Sequence, residues 1–113
     1  MQGQPLILIA DPDEAVRREI GTALQSDGYR VTGCHSADAA LRSARDNPPD
    51  LILMEAILPD GDGVMICQEL RKLTDVPILM ISAKCSEMDK IMGLMAGADD
   101  YISKPYSQGE VVA

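Results

Sequence analysis

The chain has 113 residues, enough for one domain with its own core, and a formal net charge of −8 from 18 acidic and 10 basic side chains. That balance argues against a nucleic-acid surface on this domain, because phosphate binding needs clustered Lys and Arg. No apolar run reaches membrane-spanning length and no basic-then-apolar leader opens the chain, so neither a membrane contact nor a signal peptide is expected, and the cytoplasm is the expected location.

In chain order, Leu6 to Ala10 (LILIA) reads as a first strand, apolar throughout. Asp13 is placed to cap a helix that carries Val16, Ile20, Ala23 and Leu24 at helical spacing, and Gly28 stops it. Tyr29 to Gly33 is a second strand. Ser36 caps a second helix, Ala37 to about Asp46, with Ala40, Leu41 and Ala44 inward, ended by Pro48 and Pro49. Leu51 to Glu55 is a third strand, and Gly63 to Leu73 a third helix with Met65, Ile66 and Leu70 inward. Val76 to Ser82 is a fourth strand and Ser86 to Ala96 a fourth helix, with Gly97 as its left-handed cap. Tyr101 to Ser103 is a fifth strand, and Tyr106 to Ala113 begins another helix. Strands alternating with helices imply repeated βαβ units, right-handed crossovers and a doubly wound parallel sheet of five strands.

Cys34, Cys67 and Cys85 are odd in number and form no CxxC pair, which reads as three reduced thiols. With no Trp or Phe, the core is filled by aliphatic side chains and seven Met. Met88, Met92 and Met95 read as adaptable packing. His35, the lone histidine, reads as a loop residue.

The centre of the chain is Asp50 to Gly63, DLILMEAILPDGDG. Its apolar run suggests a strand buried on both faces, and in open parallel sheets the site lies outside the carboxyl ends of the strands. Four side chains fall at such ends: Asp11, Glu55, Ser82 and Lys104. Each alone is weak, since an acid at a strand end is usually a helix cap and a Lys is usually solvated.

Taken with VPILMISAK and GADDYISKPYS, the central segment resembles response-regulator receiver (CheY-like) domains over essentially the whole chain, and the last segment looks most like the OmpR/PhoB subfamily of transcription regulators. The resemblance implies a flavodoxin-like sheet of order 2-1-3-4-5 and a signalling module rather than an enzyme, so no catalytic residue is assigned. In the family, paired acids after the first strand bind Mg²⁺ together with an acceptor Asp, which takes a phosphoryl group from a histidine kinase. A Ser or Thr and a Lys hold the phosphoryl oxygens, and an aromatic residue on the fifth strand turns inward. Ser82, Lys104 and Tyr101 match the last three, and Lys104-Pro105 matches the family's cis peptide.

Two positions depart from the pattern. The acceptor position holds Glu55, and Pro12 replaces the second acid, leaving Asp11 alone. With Asp11, Glu55 and Lys104 ionised, the pocket carries about −1 instead of about −2. Each unit charge at about 4 Å in a partly screened site is worth on the order of 4 kcal/mol before desolvation. Mg²⁺ binding is therefore expected to be weak or lost at Asp11, and no other cofactor is expected. Glu55 reaches about 1.5 Å further than an Asp would, by one C–C bond. That predicts an ion pair with Lys104 that partly imitates the phosphorylated state, against the plainer reading that Glu55 merely fills the pocket.

The resemblance also implies a dimer face on the fourth helix, fifth strand and fifth helix, to which Lys90, Asp99, Asp100 and Glu110 correspond. Read without the family, these are ordinary solvated charges. With the final helix incomplete, apolar side chains of the first and fifth strands are expected to be exposed, so that the chain forms a homodimer or exchanges elements with a second copy. The leading reading is an atypical receiver that acts without conventional Asp phosphorylation and controls dimerisation of a DNA-binding output domain beyond residue 113. The rivals are a working phosphotransfer protein, modified on Asp11, Asp13 or Glu55, and a ligand- or redox-gated pseudo-receiver.

Overall fold

A computed structural model describes residues 4–83 and 86–104. In chain order these form β1 (Leu6–Ala10), α1 (Glu14–Ser26), β2 (Arg30–Cys34), α2 (Ala37–Asp46), β3 (Leu51–Met54), β4 (Ile57–Leu58), β5 (Gly61–Asp62), α3 (Gly63–Leu73), β6 (Ile78–Ser82), α4 (Glu87–Met95) and β7 (Asp100–Ser103). Five strands make one sheet in the order β2-β1-β3-β6-β7, every pair parallel. This is the expected flavodoxin-like order.

Alternation along the strands splits the interior into two layers. Ile7 and Ile9 of β1, with Leu53, Ile81 and Ile102, pack against Ile20 and Leu24 of α1. Leu8 and Ala10, with Ile52, Met54, Ile78 and Met80, pack against Ala40 and Ala44 of α2 and against Cys67 and Leu70 of α3. Covered on both faces, β1 is buried at all five positions, which is why it reads as an unbroken apolar run. The exposure expected for the first and fifth strands is therefore not found. Ile102 is itself buried, in the same apolar layer as Ile20 and Leu24 of α1.

The four helices begin at the sheet edge where the strands end, each with a side-chain cap. Asp13, Ser36 and Asp62 accept from the backbones of Ala15, Ala39 and Val64, and Ser86 forms a reciprocal capping box with Asp89. At the other ends, Gly28 and Gly97 take positive φ, 92° and 119°. Gly97 is doubly constrained, since a Cβ there would stand 2.7 Å from Arg71 Cγ.

Three sequence expectations are corrected. A short antiparallel hairpin, β4 with β5, fills the segment after Glu55; two-residue strands leave no periodicity to read. Asp60 in its turn accepts from the backbone N–H groups of Ala37 and Asp38, at 2.7 and 3.1 Å, which ties the hairpin to the start of α2. On α3 the inward positions are Gly63, Cys67 and Leu70, spaced i, i+4, i+7, so Met65 points outward and is 64% exposed. Met88, Met92 and Met95 likewise do not pack inside the domain, being 64%, 49% and 80% exposed. The side of α4 that faces the domain is Gly93, the one buried residue of that helix.

No helix among the described residues is long and apolar enough to cross a membrane. Cys85, the Lys104-Pro105 peptide, Glu110 and the beginning of the last helix lie outside the described residues.

Candidate functional site

The sheet ladder itself builds the site. Each of three side chains sits one residue beyond a strand, and its backbone N–H continues the pairing with the neighbouring strand. Asp11 donates to Cys34 O at 3.0 Å, Glu55 to Ala10 O at 2.9 Å and Lys104 to Ser82 O at 2.9 Å. Three loops that would otherwise be free to wander thus start from fixed positions. Ser82, the last residue of β6, is fully buried between them.

Glu55 is held close by the start of α3. A Cβ on Gly63 would fall 2.7 Å from Ala56 Cα and 2.8 Å from Glu55 O, a separation that real side chains do not tolerate. Glycine there lets the first turn of α3 press against the backbone of Glu55 and Ala56, with Gly63 N donating to Ala56 O at 2.6 Å.

The side chains converge as a network. Ser82 Oγ donates to Glu55 Oε1 at 2.9 Å. Lys104 Nζ lies 3.1 Å from Glu55 Oε2 and 2.9 Å from Asp11 Oδ2. The expected ion pair between Glu55 and Lys104 is therefore present, with Asp11 as a second counter-charge. Asp11 Oδ1 accepts from Asp13 N at 2.8 Å, which orients the carboxylate, and Arg17 Nη1 donates to Asp11 O at 2.6 Å. Glu55 and Asp11 are both buried. Glu55 Oε2 is approached by the Lys104 ammonium but accepts no hydrogen bond of good geometry among the described residues. Burial acts against the charged form of Lys104, yet Asp11 and then Glu55 outweigh it and hold its pKa above the ordinary lysine value.

Pro12 is exposed beside Asp11 and brings no oxygen donor from its side chain. Among the described residues no group of three or more His, Cys, Asp or Glu side chains is arranged to hold a metal ion. Asp11 and Glu55 turn towards the same ammonium.

Tyr101 is buried on β7, opposite Met80 in the ladder. Its ring lies against Gly93 of α4, where a Cβ would come within 2.9 Å of Tyr101 Cδ2. Lys90 is half-buried on α4, and Asp100 is exposed, its Oδ1 accepting from Tyr101 N. Asp99 has work inside the domain: its Oδ2 pairs with Arg71 Nη2 at 2.6 Å and accepts from Ile78 N at 2.8 Å. Arg71 also donates to the carbonyls of Gly97 and Val76, so α3 is fastened to the ends of α4 and β6.

Sequence reasoning missed Arg17, Gly63, Asp60 and Arg71. The Asp-Gly pairs in PDGDG mark a turn. Nothing in a single sequence marks an arginine that bonds a backbone carbonyl on another element.

Residues 7–113 match the model of the response regulator receiver domain. The chain is 44% identical over 107 residues to the KDP operon transcriptional regulatory protein KdpE of Escherichia coli K12, covering 95% of this chain and 48% of that protein. It is 42% identical over 112 residues to the transcriptional regulatory protein BaeR of Escherichia coli O6:H1, covering 99% of this chain and 47% of that protein. The chain thus spans about half the length of the curated relatives it matches. A two-component response regulator from Clostridium difficile superposes with a TM-score of 0.93 at 30% identity, over 96% of this chain and 89% of that one. With the parallel sheet, the four converging side chains and these relatives in agreement, the chain belongs to the CheY-like response regulator receiver domains, with relatives in the OmpR/PhoB subfamily.

Proposed function

We propose that this chain is the receiver portion of a two-component transcription regulator in which Glu55 stands in for a phosphorylated aspartate, so that the pocket signals without conventional Asp phosphorylation. The reading rests on one observation. Glu55 puts one carboxylate oxygen on Ser82 Oγ and the other beside Lys104 Nζ, the two groups that receiver domains use to hold phosphoryl oxygens. The carboxylate carries the negative charge to where a phosphoryl group would bring it.

The donor set does not fit Mg²⁺, which needs several hard oxygen ligands near octahedral geometry. Two carboxylates already compensate one ammonium, and Pro12 supplies no third. The metal therefore plays no part in the proposal. The output is dimerisation through α4 and β7, with Lys90, Asp100 and Glu110 as pairing charges, and positioning of a DNA-binding domain beyond residue 113. Asp99 is the weakest member of that set because Arg71 already engages it. The setting is the cytoplasm, and a histidine kinase is the partner the family offers.

The deciding experiment is a titration of Mg²⁺ with beryllofluoride, followed by the NMR shifts of Ser82, Tyr101 and Lys104. No response at these residues is expected. A saturable, Mg²⁺-dependent response with Tyr101 moving overturns the reading, as does mass-spectrometric detection of a phosphoryl group on Asp11, Asp13 or Glu55 after treatment with acetyl phosphate.

A further inference from the structure

Six of the eight exposed large apolar side chains among the described residues, Met65, Met88, Ile91, Met92, Leu94 and Met95, lie on the first turn of α3 and on α4. Met65 on the first turn of α3 and Met92 on α4 flank a cleft of about 220 Å³ whose lining includes Val64 and Tyr101. Met88, Ile91, Leu94 and Met95, each between 46% and 80% exposed, carry the apolar surface along α4. Two carboxylates lie in the cleft's lining, Asp62 and Asp89. Both are fixed in place as helix-capping residues.

From this arrangement we propose that the cleft between the first turn of α3 and α4 is a docking site for a basic amphipathic helix of another protein. The helix would insert one or two large aliphatic side chains between Met65 and Met92 and place Lys or Arg beside Asp62 and Asp89. Four features select this occupant. Methionine walls adapt to differing apolar shapes, as at promiscuous helix-binding surfaces. The volume is below the roughly 300–1,000 Å³ of pockets that enclose a small-molecule ligand, and suits the anchor residues of a helix laid in a groove. The carboxylates and the net charge of −8 steer a cationic segment in. A second copy of this chain, paired through the charges of α4 and β7, leaves the cleft's Asp62 and Asp89 without the cations that a basic helix supplies.

Because Tyr101 contributes to the cleft, an inserted side chain would touch the residue that packs on Gly93. Occupancy would thus reach β7 and α4 directly. The inference does not depend on the reading of Glu55.

The test uses the ¹⁵N-labelled chain at 150 mM salt with a synthetic 14-residue Leu/Lys amphipathic peptide as probe, and a Leu/Glu peptide of the same apolar pattern as its control. Saturable shifts at Val64, Met65, Met92 and Tyr101 with the Leu/Lys peptide alone are expected. Met92→Lys, an exposed position in the cleft, should weaken binding tenfold or more. Met95→Lys, on the same helix but outside the cleft, should leave it within twofold. Shifts spread evenly over the acidic surface, equal weakening by the two variants, equal binding of the Leu/Glu peptide, or a cleft filled instead by self-association that Met92→Lys abolishes would each overturn the proposal.

Discussion

Ser82 Oγ and Glu55 Oε1 lie 2.9 Å apart, across 27 residues of sequence, in a pocket from which solvent is almost excluded. A buried carboxylate oxygen deprived of its donor bears the desolvation cost alone. Ser82→Ala should therefore lower stability by about 1–3 kcal/mol. Glu55→Gln keeps the shape and a hydrogen-bonding oxygen, and leaves Lys104 its second partner in Asp11, so its cost should be smaller, about 1 kcal/mol. Urea denaturation of both variants orders them; a larger loss for Glu55→Gln would show that the Lys104 contact, not the Ser82 hydrogen bond, dominates.

The network also sets a dependence on pH. The folded-state pKa of Lys104 is raised, so the stability it contributes is fully present below the unfolded-state value of about 10.4 and is lost as pH rises through the folded-state pKa. The wild type should lose more stability than Lys104→Met between pH 9 and the alkaline limit of folding. At pH 7 that variant strands two carboxylates together. It should cost about 2 kcal/mol, less than for a wholly buried pair, since 22% of the Lys104 side chain is exposed. Parallel pH profiles for the two proteins would remove Lys104 from the account.

Metal affinity should be recoverable by design. If Pro12 and Glu55 together keep Mg²⁺ out, the double variant Pro12→Asp/Glu55→Asp should bind Mg²⁺ measurably by calorimetry, while each single variant binds more weakly. Equal affinity in the wild type and the double variant would show that neither position controls the metal.

The contact between Gly93 and Tyr101 predicts a reversal of sign. In a helix interior Ala is favoured over Gly by about 1 kcal/mol. At position 93, however, the new methyl group meets a buried ring at 2.9 Å, and overpacking of this kind costs about 1–3 kcal/mol. Gly93→Ala should be destabilising in the wild type and stabilising in the Tyr101→Ala background. A double-mutant cycle measures this coupling, and additive effects would mean that the ring yields freely.

Burial pushes the Cys34 thiol up to about 11, the nearby Arg17 only partly offsetting it. At pH 8 its thiolate fraction is then about a thousandth, against about a tenth for a thiol at the ordinary value of 9.0. Iodoacetamide should alkylate Cys34 about a hundredfold more slowly than an unstructured cysteine peptide, and Cys67, fully buried, more slowly still. Rapid modification of either in the native protein would revive redox gating through these thiols.

Much of the molecule was legible in the chain because its signals are local. LIL-type runs bounded by Asp and Pro read as buried strands. Asp13, Ser36 and Gly97 act within three residues of where they stand, and caps and left-handed glycines are properties of the backbone around them. Repeated βα alternation implies a parallel sheet with right-handed crossovers, which puts Asp11, Glu55, Ser82 and Lys104 at strand carboxyl ends; the order of the strands came from the family resemblance and is the order found. What only the tertiary structure decided is where side chains point once elements pack. Lys104 is 93 residues from Asp11, and whether its ammonium meets one carboxylate or two depends on loops positioned by the ladder, not on sequence spacing. Met65 and Ile66 are neighbours on one helix, and Ala56 and Glu55 pressing on Gly63 set which of them faces outward. Asp99 was expected on a partner-facing surface, but an arginine on α3 binds it first. Periodicity specifies that a helix has an apolar face; the neighbour against which it packs determines which side chains that face buries and which it leaves exposed.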